Sequence, residues 1–175
     1  MRLINKFERL FMDKLVIRSA TCEDVLTLQA ICDAWIEKGF FEGETLPYNY
    51  IEQCLMVGDL PPIPEAKIEN YYLFVIEDNH RIIGLFDIYD GYPQLDTAWI
   101  SLFLLDVDSR GQGIGKALIQ MITKTIREVG FDSIGLAISM NNRVALKFLI
   151  SNGFNVIIGM YGDLKFPIIG LKKQL

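Results

Sequence analysis

The sequence predicts an α/β domain of the α+β kind, with a mixed, mostly antiparallel central sheet of about six to seven strands flanked by helices. Three observations carry this expectation. The 175 residues fit a single domain. Strand-like segments in the middle of the chain follow one another through short turns, as antiparallel hairpins do. A long segment near residue 120 instead repeats its apolar residues with the period of a helix.

Composition limits both the fold and the function. Hydrophobic residues make up 51% of the chain and charged residues 22%, which excludes intrinsic disorder. The net charge of −5 comes without the basic patch of a nucleic-acid binder, and it favours cationic partners such as amines. No apolar run is long enough to span a membrane, and no signal-peptide pattern opens the chain, so we expect neither.

The three cysteines, Cys22, Cys32 and Cys54, are odd in number and show no CxxC spacing. Neither a disulfide framework nor a zinc site is indicated by this pattern. We therefore expect a reduced, cytoplasmic protein without a metal.

Residues 1–13 are predicted to be an amphipathic N-terminal extension, and residues 14–175 the single main domain. The apolar residues of the extension would form one face of a short helix: Leu3, Ile4, Phe7, Leu10 and Phe11. That face must pack on the domain or on a partner chain. This leaves a homodimer open.

The first half of the domain begins with a strand at Leu15–Ser19. Thr21 and Asp24 then have the spacing of a capping box, which predicts the start of a helix that ends at Gly39. A loop follows, and a second helix is predicted at Tyr48–Val57.

In the second half the pattern changes to strands. Three are predicted from their residue types and the turns between them: Tyr71–Glu77, Ile82–Asp90 and Thr97–Leu105. A helix follows at Ile114–Val129, because one of its faces is apolar and the other is charged. A strand, a helix and two more strands complete the chain: Ser133–Ile138, Asn142–Asn152, Phe154–Tyr161 and Lys165–Lys172.

A glycine-rich turn, Arg110-Gly-Gln-Gly-Ile-Gly-Lys116, joins the third of these strands to the long helix. Free amide groups at a helix N-terminus, together with the helix dipole, favour a phosphate or pyrophosphate ligand. Glycine lets the backbone approach such an anion because no Cβ stands in the way. Arg110 and Lys116 are positioned in sequence to add charge-assisted contacts.

Two common phosphate-binding motifs do not fit this turn. A Walker A loop needs glycine where Arg110 stands and a hydroxyl where Ala117 stands, which argues against a nucleotide hydrolase. A dinucleotide-binding fingerprint needs GxGxxG at the start of a parallel sheet. The chain instead has GxGxG, late in the sequence and after antiparallel strands.

The sequence resembles the GNAT superfamily of acyl-CoA-dependent N-acetyltransferases. The superfamily hallmark, Gln/Arg-x-x-Gly-x-Gly/Ala after a strand and an acidic turn, is matched by Arg110–Gly115. A second element is matched by Asn142–Ala145 with Phe148 and by Asn152–Phe154. Leu15–Asp24 is similar to the usual first strand and helix start. The resemblance covers nearly the whole domain in element order.

The resemblance implies a site for acetyl-CoA. Backbone groups of Phe103 and Leu105 would face the pantetheine arm, Asn142 would contact the cofactor, and Phe148 would line its path. The amides of the glycine-rich turn would hold the pyrophosphate: Arg110, Gly111, Gln112, Gly113, Ile114, Gly115 and Lys116. The thioester would lie in a gap between the strand before the turn and the strand after the long helix.

The catalytic residues follow the superfamily pattern less well. Many members have a tyrosine that protonates the leaving thiolate, and Leu149 stands at that position. Tyr161 is a candidate replacement for the acid and Asp96 a candidate base. Asp87, Asp90 and Asp96 are nevertheless each expected at the surface or in a turn.

The amine would enter near the predicted loop Phe40–Pro47, where Glu42 and Glu44 could receive a cationic group. The expected function is transfer of an acetyl group from acetyl-CoA to a primary amine of a small molecule or peptide, without a metal. Because Leu149 replaces the usual acid, a non-catalytic acyl-CoA-binding sensor or structural subunit is the alternative.

Overall fold

The computed structural model describes Phe7, residues 10–12 and residues 14–175. In that part of the chain, the strands are β1 (Leu10–Met12), β2 (Leu15–Ser19), β3 (Tyr71–Asp78), β4 (Arg81–Asp90), β5 (Thr97–Ile100), β6 (Phe103–Leu105), β7 (Ser133–Ser139), β8 (Val156–Gly162) and β9 (Pro167–Gln174). The α-helices are α1 (Val25–Asp33), α2 (Lys38–Glu42), α3 (Tyr50–Val57), α4 (Ile114–Val129) and α5 (Arg143–Ser151). Short 3₁₀ turns lie at Cys22–Asp24, Ile68–Asn70 and Val107–Ser109.

All nine described strands belong to one sheet, in the order β1-β2-β3-β4-β5-β7-β9-β8, with β6 also paired to β4. The β5–β7 pair is parallel, and the other pairs are antiparallel. The predicted mixed, mostly antiparallel sheet is therefore confirmed. There are more strands than predicted because Leu10–Met12 adds one and because the predicted strand Thr97–Leu105 is divided in two.

The sheet has a hydrophobic core on each face, as the alternation of side chains along its strands requires. Along β3, Phe74 and Ile76 join a core that α4 and α5 cover. Leu73 and Val75 join the opposite core, which α1 and α3 cover. The central strands are therefore buried on both sides.

The sheet extends into the segment assigned from sequence to an N-terminal extension. Leu10–Met12 is a strand paired antiparallel with β2, so the predicted helical face is wrong for these residues. The side chain of Phe7 is fully buried, and its ring centroid lies 4.8 Å from that of Phe74. Leu3 and Ile4, the other members of the predicted face, lie outside the described residues.

The region after the first helix also differs from the prediction. The first helix, α1, ends at Asp33 and not at the predicted Gly39. Gly39 lies inside α2, and the last residues of α2 occupy the start of the predicted loop Phe40–Pro47. α2 ends instead at Gly43, whose φ of 84° is the left-handed conformation that glycine adopts readily at helix ends.

The strand before the glycine-rich turn is interrupted at Ser101 and Leu102. Up to Ile100 it pairs in parallel with β7, where Ile100 lies opposite Leu136. Beyond the interruption, β6 pairs with β4. The sheet is therefore open between β6 and the last part of β7, and this opening is called the split below.

Cys22 is exposed, whereas Cys32 and Cys54 are buried, and all three are free thiols. Among the residues that the structure describes, no helix is both long enough and apolar enough to cross a bilayer. The same residues include no group of three histidine, cysteine or acidic side chains arranged to hold a metal ion.

Candidate active site

The glycine-rich turn presents an open backbone surface at the start of α4. Gly111 and Gly113 have φ values of 73° and 83°, in the left-handed region that disfavours other residues. A Cβ added to either glycine would meet no atom within 4 Å. Gly113 is the N-cap of α4, so the first amide groups of that helix have no partner within it. Both the free space and the donors fit an anion.

The side chain of Arg110 links this turn to β6. Its Nε donates to the carbonyl oxygen of Leu105 at 2.8 Å. Its Nη2 is buried without a hydrogen-bond partner among the described residues. The side chain is thus directed toward β6. The amide of Arg110 donates to the carbonyl oxygen of Val107 at 3.2 Å, so the prediction that this amide binds the pyrophosphate is wrong, and the amides from Gly111 onward are the ones that face a phosphate. Lys116 is exposed at the start of α4.

The backbone groups of β6 face in two directions, toward β4 and toward the split. The amide of Asp87 donates to the carbonyl oxygen of Leu102, so this position faces β4. Because alternate residues of a strand face its neighbour, the backbone groups of Phe103 and Leu105 face away from β4 and toward the split. The contact of these two residues with the pantetheine arm, which the superfamily resemblance implied, stays a prediction, and the carbonyl oxygen of Leu105 is already bonded to Arg110.

The residues of the second matching element lie at the start of α5 and along it. The ring of Phe148 stacks on that of Phe103, with centroids 6.5 Å apart and an interplanar angle of 6°. It also lies next to Gly115, 3.5 Å from where a Cβ would stand. The side chain of Asn142 caps α5 by accepting from the amide of Ala145 at 3.1 Å.

Leu149 packs in the hydrophobic core with Phe154. It is 7% exposed. The position of the usual tyrosine is therefore occupied by a core side chain that has no proton to give.

The interruption between β5 and β6 is held by Asp87, a fully buried residue at 1% exposure. Its Oδ1 accepts from the amides of Ser101 and Leu102 at 2.7 and 2.9 Å, and its Oδ2 accepts from the hydroxyl of Tyr71 at 3.2 Å. The expectation that Asp87 lies at the surface or in a turn was wrong. Burial raises the pKa of its carboxyl group to about 7, and the charge of Asp59 adds to the rise.

A cavity of about 460 Å³ opens beside the split, with Ser101 and Leu102 in its wall. Its charged lining residues are Lys38, Glu42, Glu44 and Asp59. Lys38 pairs with Glu42 at 2.8 Å and lies 3.9 Å from Glu44. The two glutamates selected from the sequence are therefore both at this cavity. Asp59 was missed, because no local pattern marks it.

The two other catalytic candidates lie away from the cavity wall. Asp96 is exposed, and its carbonyl oxygen accepts from the amide of Ser133, at the end of β5 remote from the split. Tyr161 is 53% exposed and lies in β8, outside the set of residues that line the cavity. A Cβ on Gly159 or Gly170 would touch its ring, which therefore lies over these two glycines.

Comparison with known proteins identifies the class to which this fold and site belong. The family model for the acetyltransferase (GNAT) family matches residues 28–154. The chain therefore belongs to the GNAT acetyltransferase family. Members of this family are acyltransferases that use acetyl-CoA as co-substrate.

Individual proteins give the same picture. The chain is 27% identical over 127 residues to N-acetyltransferase family 8 member 2 of Rattus norvegicus, a match that covers 70% of this chain and 56% of the relative. The chain thus spans little more than half the length of that relative.

Two solved structures share the fold over nearly their full lengths. One is an acetyltransferase from Thermus thermophilus, with a TM-score of 0.71 and 18% identity over 95% of this chain and 100% of that one. The other is a GCN5-related N-acetyltransferase from Kribbella flavida, with a TM-score of 0.66 and 23% identity over 93% of this chain and 99% of that one.

Proposed function

We propose that this protein transfers an acetyl group from acetyl-CoA to a primary amine that is positively charged in water, in a small molecule or a peptide. The observation that carries the proposal is the acidic cavity beside the split. Its wall holds three carboxylates, Glu42, Glu44 and Asp59, against the single ammonium group of Lys38. A concave surface with excess negative charge attracts a cation.

The open edge of β6 supports a path for acetyl-CoA between the glycine-rich turn and this cavity. This edge begins at the cavity wall with Leu102, continues through Phe103 and Leu105, and ends next to Arg110. In our proposal the pantetheine arm lies along this edge, past Phe148, and the amides of residues 111–116 hold the pyrophosphate. Asn142 would contact the cofactor through its side-chain Nδ2 group, because its Oδ1 caps α5. The thioester then reaches the cavity.

The chemistry needs deprotonation of the amine, since an ammonium group has no lone pair with which to attack. The amides of Ser101 and Leu102 already donate to Asp87 and are not free to hold an oxyanion. In our proposal the amide of Phe103, the next on the open edge, takes this role. Coenzyme A leaves as a thiolate without a dedicated acid, because a thiol pKa near 8.5 makes it an adequate leaving group.

The second candidate function is an acyl-CoA-binding sensor or structural subunit without turnover. The observation that favours it is the buried Leu149 at the position of the usual acid.

Release of coenzyme A distinguishes the two functions. Acetyl-CoA is incubated with the protein and a panel of amines: a polyamine, an aminoglycoside, an amino acid, a peptide with a free N-terminus and a neutral aromatic amine. We expect thiol release and an acetylated product with the cationic amines, and little with the neutral one. Binding of acetyl-CoA without thiol release from any amine would favour the sensor.

We place this activity in the cytoplasm. Cys22 is an exposed free thiol, and Cys32 and Cys54 are buried free thiols, a pattern that suits a reducing compartment.

A further inference from the structure

Asp59 differs from the other acidic residues of the cavity in having no cationic partner. Glu42 lies 2.8 Å and Glu44 3.9 Å from the ammonium nitrogen of Lys38. Asp59 forms no ion pair with any lysine or arginine among the described residues, and its hydrogen bond comes from the neutral hydroxyl of Tyr50. It is therefore the cavity carboxylate that is left for a cationic ligand.

Tyr50 holds Asp59 in a fixed position. Its hydroxyl donates to Oδ2 of Asp59 at 2.8 Å, which leaves Oδ1 for a second partner. Burial raises the pKa of the Tyr50 phenol well above its ordinary value, and the charges of Asp87 and Asp59 add to the rise. The phenol therefore stays protonated and donates at neutral pH.

A second carboxyl group lies behind the first. Asp87 is close enough for the charge of Asp59 to raise its pKa, and the Cys54 thiol interacts both with Tyr50, which donates to Asp59, and with Tyr71, which donates to Asp87. Two nearby carboxylates are costly to keep ionised together, so this region favours an added positive charge. That charge is either an ammonium group or a proton.

We propose that Asp59 accepts the proton from the acceptor amine and that Tyr50 is its positioning residue. This inference rests on the proposed function, and it concerns the same cavity, whose wall brings Asp59 together with Ser101 and Leu102 at the split.

The step balances in atoms and charge. One proton passes from the ammonium nitrogen to the Asp59 carboxylate, and the nitrogen lone pair then bonds to the acetyl carbonyl carbon. The carbon–sulfur bond breaks and coenzyme A takes the electron pair as a thiolate. The nitrogen loses its second proton to solvent as the amide forms, and the first proton leaves Asp59 for solvent through the open cavity. The reactants, with a charge of +1, thus give a neutral amide, one thiolate and two protons.

Asp59→Asn is the variant that tests this role, since it keeps the shape and the acceptor for Tyr50 but removes the proton acceptor. We expect kcat at neutral pH to fall about 100-fold or more, the usual worth of general-base help. We expect the affinity for acetyl-CoA, measured by calorimetry, to stay within twofold.

The pH dependence separates proton acceptance from mere binding. As the pH nears the pKa of the amine, solution supplies the free amine, so the deficit of Asp59→Asn should shrink. The other titratable groups that face Asp59 are Lys38, Glu42 and Glu44 in the cavity wall and, behind it, Asp87 with the phenols of Tyr50 and Tyr71. None of these residues is itself replaced in the variant. Loss of the Asp59 charge lowers the pKa of Asp87 from about 7, so Asp87 is ionised in both proteins above about pH 8, and there the difference between the two profiles reports on Asp59.

Three further variants complete the test. Tyr50→Phe should lower kcat about tenfold, because Asp59 loses its fixed position. Asp59→Glu should recover part of the rate and provides a second reading if Asp59→Asn folds poorly. Glu52→Gln is the matched control, since it removes an exposed carboxylate from α3 outside the cavity.

The experiment measures kcat and KM for the four variants and the unchanged protein, from pH 6 to 10, with a cationic amine that the panel shows to be a substrate. A hundredfold loss in Asp59→Asn that shrinks with pH, with Glu52→Gln unaffected, supports the inference. A kcat within threefold, or a deficit that is constant with pH, overturns it and leaves the proposed function intact. Absence of turnover in the unchanged protein overturns the proposed function instead.

Discussion

The carboxyl group of Asp87 joins three hydrogen-bond donors at the point where the sheet divides. Its pKa is raised from the ordinary value near 4 to about 7 by burial. Between these two values the folded protein keeps a proton that the unfolded chain releases. The contribution of Asp87 to stability is therefore fully present below about pH 4 and is lost as the pH rises through about 7.

We expect Asp87→Asn to remove this part of the pH dependence, because an amide does not titrate in this range. The free energy of unfolding, measured in urea at intervals from pH 4 to 8, should fall less steeply with pH in the variant than in the unchanged protein. Asp132→Asn, which removes an exposed carboxylate, is the control. Equal slopes in Asp87→Asn and the unchanged protein would contradict the expectation.

A single substitution also tests whether Tyr161 acts as the general acid. Its ring lies over Gly159 and Gly170 outside the cavity wall, so we expect Tyr161→Phe to cost less than threefold in kcat. Steady-state kinetics with the best amine of the panel measures this. A hundredfold loss with unchanged affinity for acetyl-CoA would make Tyr161 the general acid.

At the scale of elements, the start of α4 carries the anion site that we propose. Gly113→Val places a side chain in the open space in front of the turn and imposes it on a left-handed backbone. We expect the affinity for acetyl-CoA to fall at least tenfold, or about 1.4 kcal/mol, by calorimetry.

The same helix supplies the control for this prediction. Gly130, at the other end of α4, has a φ of 97° and equally open surroundings. Gly130→Val therefore brings similar backbone strain far from the turn, and should leave the affinity unchanged. If both variants lost affinity equally, the loss would come from strain in the helix and not from the anion site.

Local patterns predicted the elements whose burial repeats regularly. The bounds of β2 and α4 are those expected from the sequence, because each has one face fixed by a hydrophobic core. The interruption at Ser101 and Leu102 could not be found in this way. It depends on Asp87, which accepts from amides 14 and 15 residues away in sequence.

The candidate site was predictable to a similar extent. The glycine-rich turn is recognisable in the sequence because glycines at this spacing allow the left-handed backbone conformation that the turn adopts. Asp87 left one signal that was not used, a single acidic residue within the apolar run of β4. Asp59 left none, since its place in the cavity follows from a contact with Tyr50 that only the folded chain makes.

At the scale of the whole molecule, we expect the N-terminal segment to contribute to stability and not to the anion site. Phe7 is fully buried against Phe74 and Phe86. We expect Phe7→Ala to lower the free energy of unfolding by about 3 kcal/mol, as loss of a buried phenyl ring does. Deletion of residues 1–13 should lower Tm as well.

Binding should be unaffected by either change. Calorimetry on the deletion variant is expected to give an affinity for acetyl-CoA within about threefold of the unchanged protein. A folded deletion variant that no longer binds acetyl-CoA would show that the segment is part of the site.

The burial of Cys54 has a consequence for the order of events in the proposed reaction. Burial raises the pKa of this thiol to about 11, so its sulfur is a poor nucleophile at neutral pH even though it lies between Tyr50 and Tyr71 behind the cavity. Cys32 is still harder to ionise, with a pKa of about 12. An acyl-enzyme on either buried sulfur is therefore disfavoured. If the proposed transfer uses no such intermediate, we expect donor and acceptor to bind together in one complex before the acetyl group moves.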